Sequence, residues 1–141
     1  MKINIKYLLA ILSVFIFTGC SSIPKVNGIE VNNVMVEEKN SNGEYELLKD
    51  ISDNDQIKKV IGFIQEFNFD TAVDEETKPQ YQFHLNYSSE DSSVKIVTYT
   101  LEKSIDGKGV IVGTSDGKKV EKLNEEDSNS LYQLIVGEPL K

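Results

Sequence analysis

Hydrophobic and polar residues alternate along several stretches of this chain, as they do in strands with one buried face and one exposed face. The alternation is most regular in residues 81–87, where the predicted buried face consists of Tyr81, Phe83, Leu85 and Tyr87. Further strands are predicted at residues 29–36, 45–51, 94–101 and 110–112, and near Val120. Asp116 and Gly117 predict a hairpin turn before the last of these, and Asn32 and Asn33 interrupt the first strand as a β-bulge does.

Two other segments repeat hydrophobic residues at three- and four-residue steps, which predicts α-helices with one buried stripe. The first helix follows Ser52 or Asp53 as its N-cap, and its stripe consists of Ile57, Val60, Ile61, Ile64 and Phe67. The second helix follows Asn124 as its N-cap and ends at Gly137, and its stripe consists of Leu131, Leu134 and Ile135. Lys58, Lys59, Gln65 and Glu66 lie away from the first stripe, so we expect them in solvent.

The predicted element order is β-β-α-β-β-β-β-α, with short turns between the strands. This order is typical of an α+β fold in which one antiparallel sheet packs against its helices. We expect about five to six strands, one long helix and one short C-terminal helix. The length of 141 residues is sufficient for a single domain, which we place at residues 29–141.

The N-terminus has a different pattern, because residues 7–17 form an unbroken apolar run behind Lys2 and Lys6. A basic lead, a run of this length and small residues after it describe an export signal. The run is too short for a transmembrane helix, which needs about 20 apolar residues. The run closes on Phe17, Thr18, Gly19 and Cys20, and this ending resembles the lipobox of bacterial lipoproteins. We therefore predict a signal peptide at residues 1–19 and prefer lipidation of Cys20 to an ordinary secretory signal, with a short tether at residues 20–28.

Composition narrows the classes of partner. All fifteen basic residues are lysine, and removal of Lys2 and Lys6 with the signal changes the formal charge from −8 to −10. A chain this acidic repels the phosphate backbone of nucleic acids, and it lacks the arginine side chains that form paired hydrogen bonds with bases. We therefore do not expect nucleic acid as a partner. Its charge favours solubility at the envelope or attraction to a basic partner or divalent cations. Cys20 is the only cysteine, so no intramolecular disulfide forms.

The residues that carry chemistry do not form a catalytic or cofactor motif. His84 is the only histidine and lies on the polar face of its predicted strand, where we expect a surface residue. A calcium-binding loop that began at Asp53 would need a glycine at residue 58 and a glutamate at residue 64, but the chain has Lys58 and Ile64 there. Helix capping explains this segment instead. Gly107, Gly109 and Gly113 are a near miss for a dinucleotide loop, but the segment leads into the β-branched run at residues 110–112, as after a hairpin turn. We predict no catalytic residue, no metal site and no cofactor; the acidic loop at residues 70–76 remains a weak calcium candidate.

The chain resembles the YhfM-like small lipoproteins of Gram-positive spore-forming bacteria. The resemblance covers roughly residues 29–136. It lies in the lipobox at Cys20, the capped helix at residues 52–67, the opening of the central strand at Pro79, Tyr81 and Phe83, and the ending Leu131, Leu134 and Ile135. It implies a surface lipoprotein of uncharacterised role and assigns no functional residues.

The sequence thus predicts a non-enzymatic binding module held at the outer face of the cell membrane. The predicted anchor is diacylglycerol, with palmitate, on Cys20, and an envelope protein is the expected partner. The alternative is an envelope protein that binds a small molecule or a divalent cation through the acidic loop. An enzyme in which folding brings a carboxylate and a hydroxyl to His84 is the third hypothesis.

Overall fold

The computed structural model describes residues 22–69, 76–89 and 96–141. These residues form seven strands and two helices. The strands are β1 (Lys25–Val26), β2 (Ile29–Lys39), β3 (Tyr45–Ile51), β4 (Tyr81–Tyr87), β5 (Thr98–Lys103), β6 (Val110–Thr114) and β7 (Val120–Lys122). The helices are α1 (Asn54–Glu66) and α2 (Glu125–Val136). The predicted α+β class is confirmed.

The sheet is antiparallel throughout and has the order β1-β2-β4-β5-β6-β7, with β3 also pairing with β2. The pairing of β2 with β4 shifts register between Val31 and Asn33, where the sequence predicts a bulge. A second shift lies between Val36 and Glu37 in the pairing with β3. The hairpin of β6 and β7 turns at the predicted position, with Gly117 at φ 68°.

Three details differ from the sequence-based expectation. The sheet has seven strands rather than five to six. The two helices of the described residues have 13 and 12 residues, so they are nearly equal in length rather than one long and one short. The strand predicted at residues 94–101 is observed as β5, which begins at Thr98; residues 94 and 95 lie outside the described residues. The composition of a β-rich run shows that a strand exists, but pairing with β4 and β6 sets where it begins.

The first strand lies inside the segment that the sequence predicts as a tether. Lys25 pairs with Glu30, and the Val31 amide donates a hydrogen bond of 2.9 Å to the carbonyl of Pro24. Asn27 and Gly28 form the turn at φ 51° and 80°, as the Asn-Gly dipeptide of a two-residue hairpin does. The folded domain therefore extends back to Pro24, and residues 24–28 belong to it.

Both helices pack on one face of the sheet and form a single hydrophobic core with it. The strands contribute Val31, Val34, Val36, Ile51, Tyr81, Phe83, Leu85, Leu101, Val110 and Val112, and the helices contribute Ile57, Val60, Ile61, Leu131, Tyr132 and Ile135. The predicted stripes are thus core faces, although Ile64, Phe67 and Leu134 are only partly buried. The opposite face of the sheet carries mostly polar side chains, including Gln82 and His84 of β4.

The predicted caps are confirmed and fix where the helices begin and end. The Asp53 carboxylate accepts a hydrogen bond of 2.9 Å from the Gln56 amide at the start of α1. Asn124 caps α2 in the same way, and Gly137 ends it in the left-handed conformation with φ 89°. These ends position the two helices side by side across the sheet.

Candidate functional site

An open groove of about 540 Å³ runs between the two helices and reaches the end of β3. It is lined by Lys49, Gln56, Lys59, Phe63, Ser130, Gln133, Leu134 and Gly137. A smaller depression, to which Gly62, Glu66 and Asp127 contribute, continues it past Lys59 and Phe63. Together they form the surface that we call the interhelical groove.

Each helix presents one stripe to this groove. On α1 the stripe consists of Gln56, Lys59, Phe63 and Glu66, which are three or four residues apart and so lie on one side of the helix. On α2 the spacing is similar, and the stripe consists of Asp127, Ser130, Gln133 and Leu134 before the Gly137 cap. Gln56 and Gly137 line the same cavity, and Glu66 and Asp127 line the other, so the helices run in opposite directions along the groove.

Lys49 places a positive charge at one end of the groove. Its ammonium donates a hydrogen bond of 3.2 Å to the carbonyl of Leu134, in the last turn of a helix that has no basic residue of its own there. A cation at this position stabilises the negative end of the helix dipole. An ammonium has three N–H donors, so the bond to Leu134 leaves donors for a ligand.

The described ionisable groups with displaced pKa values all lie outside the groove; they are Tyr81, Tyr87, Tyr99, Asp106 and Asp116, of which Asp106, Asp116 and Tyr81 have hydrogen-bonding causes. The Ser104 hydroxyl and the Lys108 amide donate hydrogen bonds to Asp106 and lower the pKa of that carboxyl to about 2. The Thr114 hydroxyl lowers the pKa of Asp116 in the corresponding way. Burial, followed by the contact with the Tyr132 hydroxyl, raises the pKa of Tyr81. The first two groups hold hairpin turns and the third lies in the core, which gives all three a structural role.

His84 lies on the polar face of β4, as predicted, but it is half-buried rather than fully solvated. It is in register with Met35 of β2 and Thr98 of β5. Its Nδ1 atom is enclosed and has no hydrogen-bond partner among the described residues. The side chain lines none of the cavities described above, and it does not meet the interhelical groove.

The other residues singled out by sequence fall into two groups. Asp53 is a helix cap, and Gly107, at φ 70°, lies in the turn between β5 and β6. Cys20 and residues 70–75 of the acidic loop lie outside the described residues; Glu76, which ends that loop, forms an ion pair with Lys78 at 3.7 Å. Within residues 22–69, 76–89 and 96–141, no group of three or more His, Cys, Asp or Glu side chains is arranged to hold a metal ion.

The part of the chain that the structure describes contains no helix of the length and apolarity needed to span a membrane. No family model, no curated protein and no solved structure matches this chain.

Sequence reasoning missed the interhelical groove. Lys49 lies on the least regular of the predicted strands, and Lys59 and Glu66 were expected only to be solvated. A signal was present in the second, polar stripe of α1, which repeats at the same steps as the hydrophobic one. Its significance depends on the facing stripe of α2, more than fifty residues further along the chain.

Proposed function

We propose that this chain is a lipid-anchored lipoprotein of the outer face of the cell membrane, and that it acts as a non-enzymatic binding module. The observation that carries the proposal is the apolar run that is followed by Gly19 and Cys20, a few residues before a folded domain. The resemblance to YhfM-like lipoproteins agrees with this assignment. An anchor, and a domain whose described residues hold no recognisable catalytic constellation, favour binding over turnover.

The position of β1 supports a close association with the bilayer. With Pro24 already bonded to the sheet, residues 21–23 are the whole link between an acylated Cys20 and the domain. Three extended residues span only about 10 Å. A domain held on so short a link lies against the membrane surface and does not reach across the cell wall, so its ligand must come to that surface.

The interhelical groove supports the binding role. It is concave, its volume lies within the range of small-ligand sites, and its walls belong to two helices that the core holds rigidly. Phe63 offers one partly buried ring among polar side chains. The pairing of a rigid frame with polar groups that point into a concave surface is typical of sites that orient a ligand.

Metabolic labelling with an alkyne-tagged palmitate tests the anchor. The full chain should incorporate the label and sediment with membranes, and Cys20→Ser should abolish both, because the thiol is the acceptor of the lipid. Ser21→Cys combined with Cys20→Ser is the matched control, since it returns a thiol one residue out of place. Equal labelling of the Cys20→Ser chain would refute the anchor.

The alternative function, binding of a divalent cation through residues 70–76, is tested separately. Calcium binding to the folded state would raise the melting temperature as the concentration rises. An unchanged melting temperature at millimolar calcium removes this alternative and leaves the binding module.

A further inference from the structure

Four polar side chains of the interhelical groove are not used by the fold. Gln56, Lys59, Ser130 and Gln133 make no side-chain hydrogen bond or ion pair with any of the described residues. Lys58, the neighbour of Lys59, does have a partner in Asp55 at 4.0 Å. Donors and acceptors that converge on one groove and remain unpaired are what a polar ligand requires.

The charges in this groove are separated along its length. Lys49 and Lys59 line the larger cavity, to whose lining the described residues contribute no carboxylate. Glu66 and Asp127 lie at the opposite end, in the depression that continues it, and Lys59 lies between the two ends because it lines both. A cavity with two ammonium groups and no acid is notable in a chain with 23 acidic and 15 basic residues. The arrangement complements a ligand with an anion at one end and a cation at the other.

The distance between the two charged ends defines the size of this ligand. Lys59 and Glu66 are seven residues apart on α1, which corresponds to a rise of ~10 Å. An extended chain of three amino acids also spans ~10 Å and carries a carboxylate at one end and an ammonium at the other. Its backbone amides match the Ser130 hydroxyl and the Gln133 side-chain amide on the facing helix, and one of its side chains reaches the Phe63 ring.

We infer that the interhelical groove binds a short free peptide, with its carboxylate at Lys49 and Lys59 and its ammonium at Glu66 and Asp127. This inference rests on the proposed binding function and adds the class of ligand to it. Recognition is directed at the two termini and the backbone, so it tolerates different side chains. Lys49 also stabilises the end of α2, so it is unsuitable as a test position; Lys59 and Glu66 have no such role among the described contacts.

Titration of the full chain, purified in detergent, with trialanine tests this inference. Calorimetry measures the affinity, and amide-proton NMR maps the site. We expect saturable binding with shifts confined to α1, α2 and the end of β3. Because one partly exposed ion pair is lost, Lys59→Gln should weaken trialanine binding about fivefold. Lys58→Gln removes the same charge one residue away from the groove and should leave the affinity unchanged.

Blocked peptides assign the two ends. C-terminally amidated trialanine should bind about fivefold more weakly to the unaltered chain and should be insensitive to Lys59→Gln. N-acetylated trialanine should likewise bind about fivefold more weakly to the unaltered chain, and its affinity should be insensitive to Glu66→Gln. Equal binding of free and blocked peptides, equal effects of Lys59→Gln and Lys58→Gln, or no saturable binding up to about 10 mM would overturn the inference.

The titration is repeated on Cys20→Ser, which separates this inference from the proposed anchor. Retained trialanine binding by a chain that no longer incorporates palmitate supports both proposals. Failure of palmitate labelling in the unaltered chain refutes the anchor and leaves the groove result standing. Failure of trialanine binding in a correctly labelled chain refutes the groove inference alone.

Discussion

Substitution of Ser128 tests how α2 is held to the sheet. Ser128 is fully buried, and its hydroxyl accepts a hydrogen bond of 2.9 Å from the Val110 amide at the start of β6. The same hydroxyl is 3.2 Å from the Leu123 carbonyl, to which it can donate. Ser128→Ala leaves the buried Val110 amide without this partner.

The magnitude follows from two opposing effects. An unsatisfied buried donor costs about 1–3 kcal/mol, and alanine returns about 0.5 kcal/mol through its higher helix propensity. We expect a net loss of about 1.5 kcal/mol in the free energy of unfolding. For a domain of this size, that loss lowers the melting temperature by about 6 °C.

Urea unfolding followed by tyrosine fluorescence measures the difference, since the chain has six tyrosines and no tryptophan. Ser130→Ala is the matched control, because Ser130 lies two residues further along the same helix, is exposed and makes no side-chain hydrogen bond among the described residues. The control should be unchanged or slightly more stable. If the two variants differ by less than about 0.5 kcal/mol, the hydroxyl of Ser128 does not hold α2 to β6.

Three further predictions concern the sheet and its turns. A methyl group at Gly113 would lie 2.8 Å from Thr100 Oγ1 and 3.1 Å from Val120 Cγ1, so Gly113→Ala should lower the free energy of unfolding in urea by about 1–3 kcal/mol. Gly62 has no atom within 4 Å of such a methyl group, so Gly62→Ala should raise the free energy of unfolding by up to about 1 kcal/mol. Equal effects of the two substitutions would refute the close approach at Gly113. The pKa of Asp106 is lowered from 3.8 to about 2 in the folded state. Its ionised carboxylate therefore stabilises the fold above pH 3.8, and this stabilisation is lost as the pH falls toward 2. Asp106→Asn should therefore reduce the dependence of the melting temperature on pH between pH 3.8 and 2. An unchanged pH dependence would contradict the role of Asp106 in the turn. The raised pKa of Tyr81 favours its protonated form in the fold, so stability is lost as the pH rises above about 10, and Tyr81→Phe should move alkaline unfolding, followed by circular dichroism, to higher pH.

Local signals in the sequence predicted most of the fold. The alternation in residues 81–87 became β4, and Asp53, Asn124 and Gly137 cap the helices where the sequence placed them. Each of these features depends on a few neighbouring residues. The element order was also correct, apart from the additional strand β1.

The features that sequence missed depend on contacts between distant parts of the chain. Asn27 and Gly28 signal a hairpin, but a strand of two residues is recognised only through its pairing with β2. The exposed edge of α1 became part of a groove because α2 packs beside it with a second polar stripe. The enclosure of His84 Nδ1 likewise follows from neighbours on β2 and β5. Each of these contacts needs a second segment of the chain, which a local pattern does not identify.

Intact mass spectrometry of the chain isolated from membranes tests the central claim most directly. We predict a mature protein that begins at Cys20 and carries the additional mass of a diacylglycerol group with palmitate. A protein that retains residues 1–19, or that begins at residue 20 with an unmodified thiol, would contradict the account of a domain held at the bilayer surface by residues 21–23.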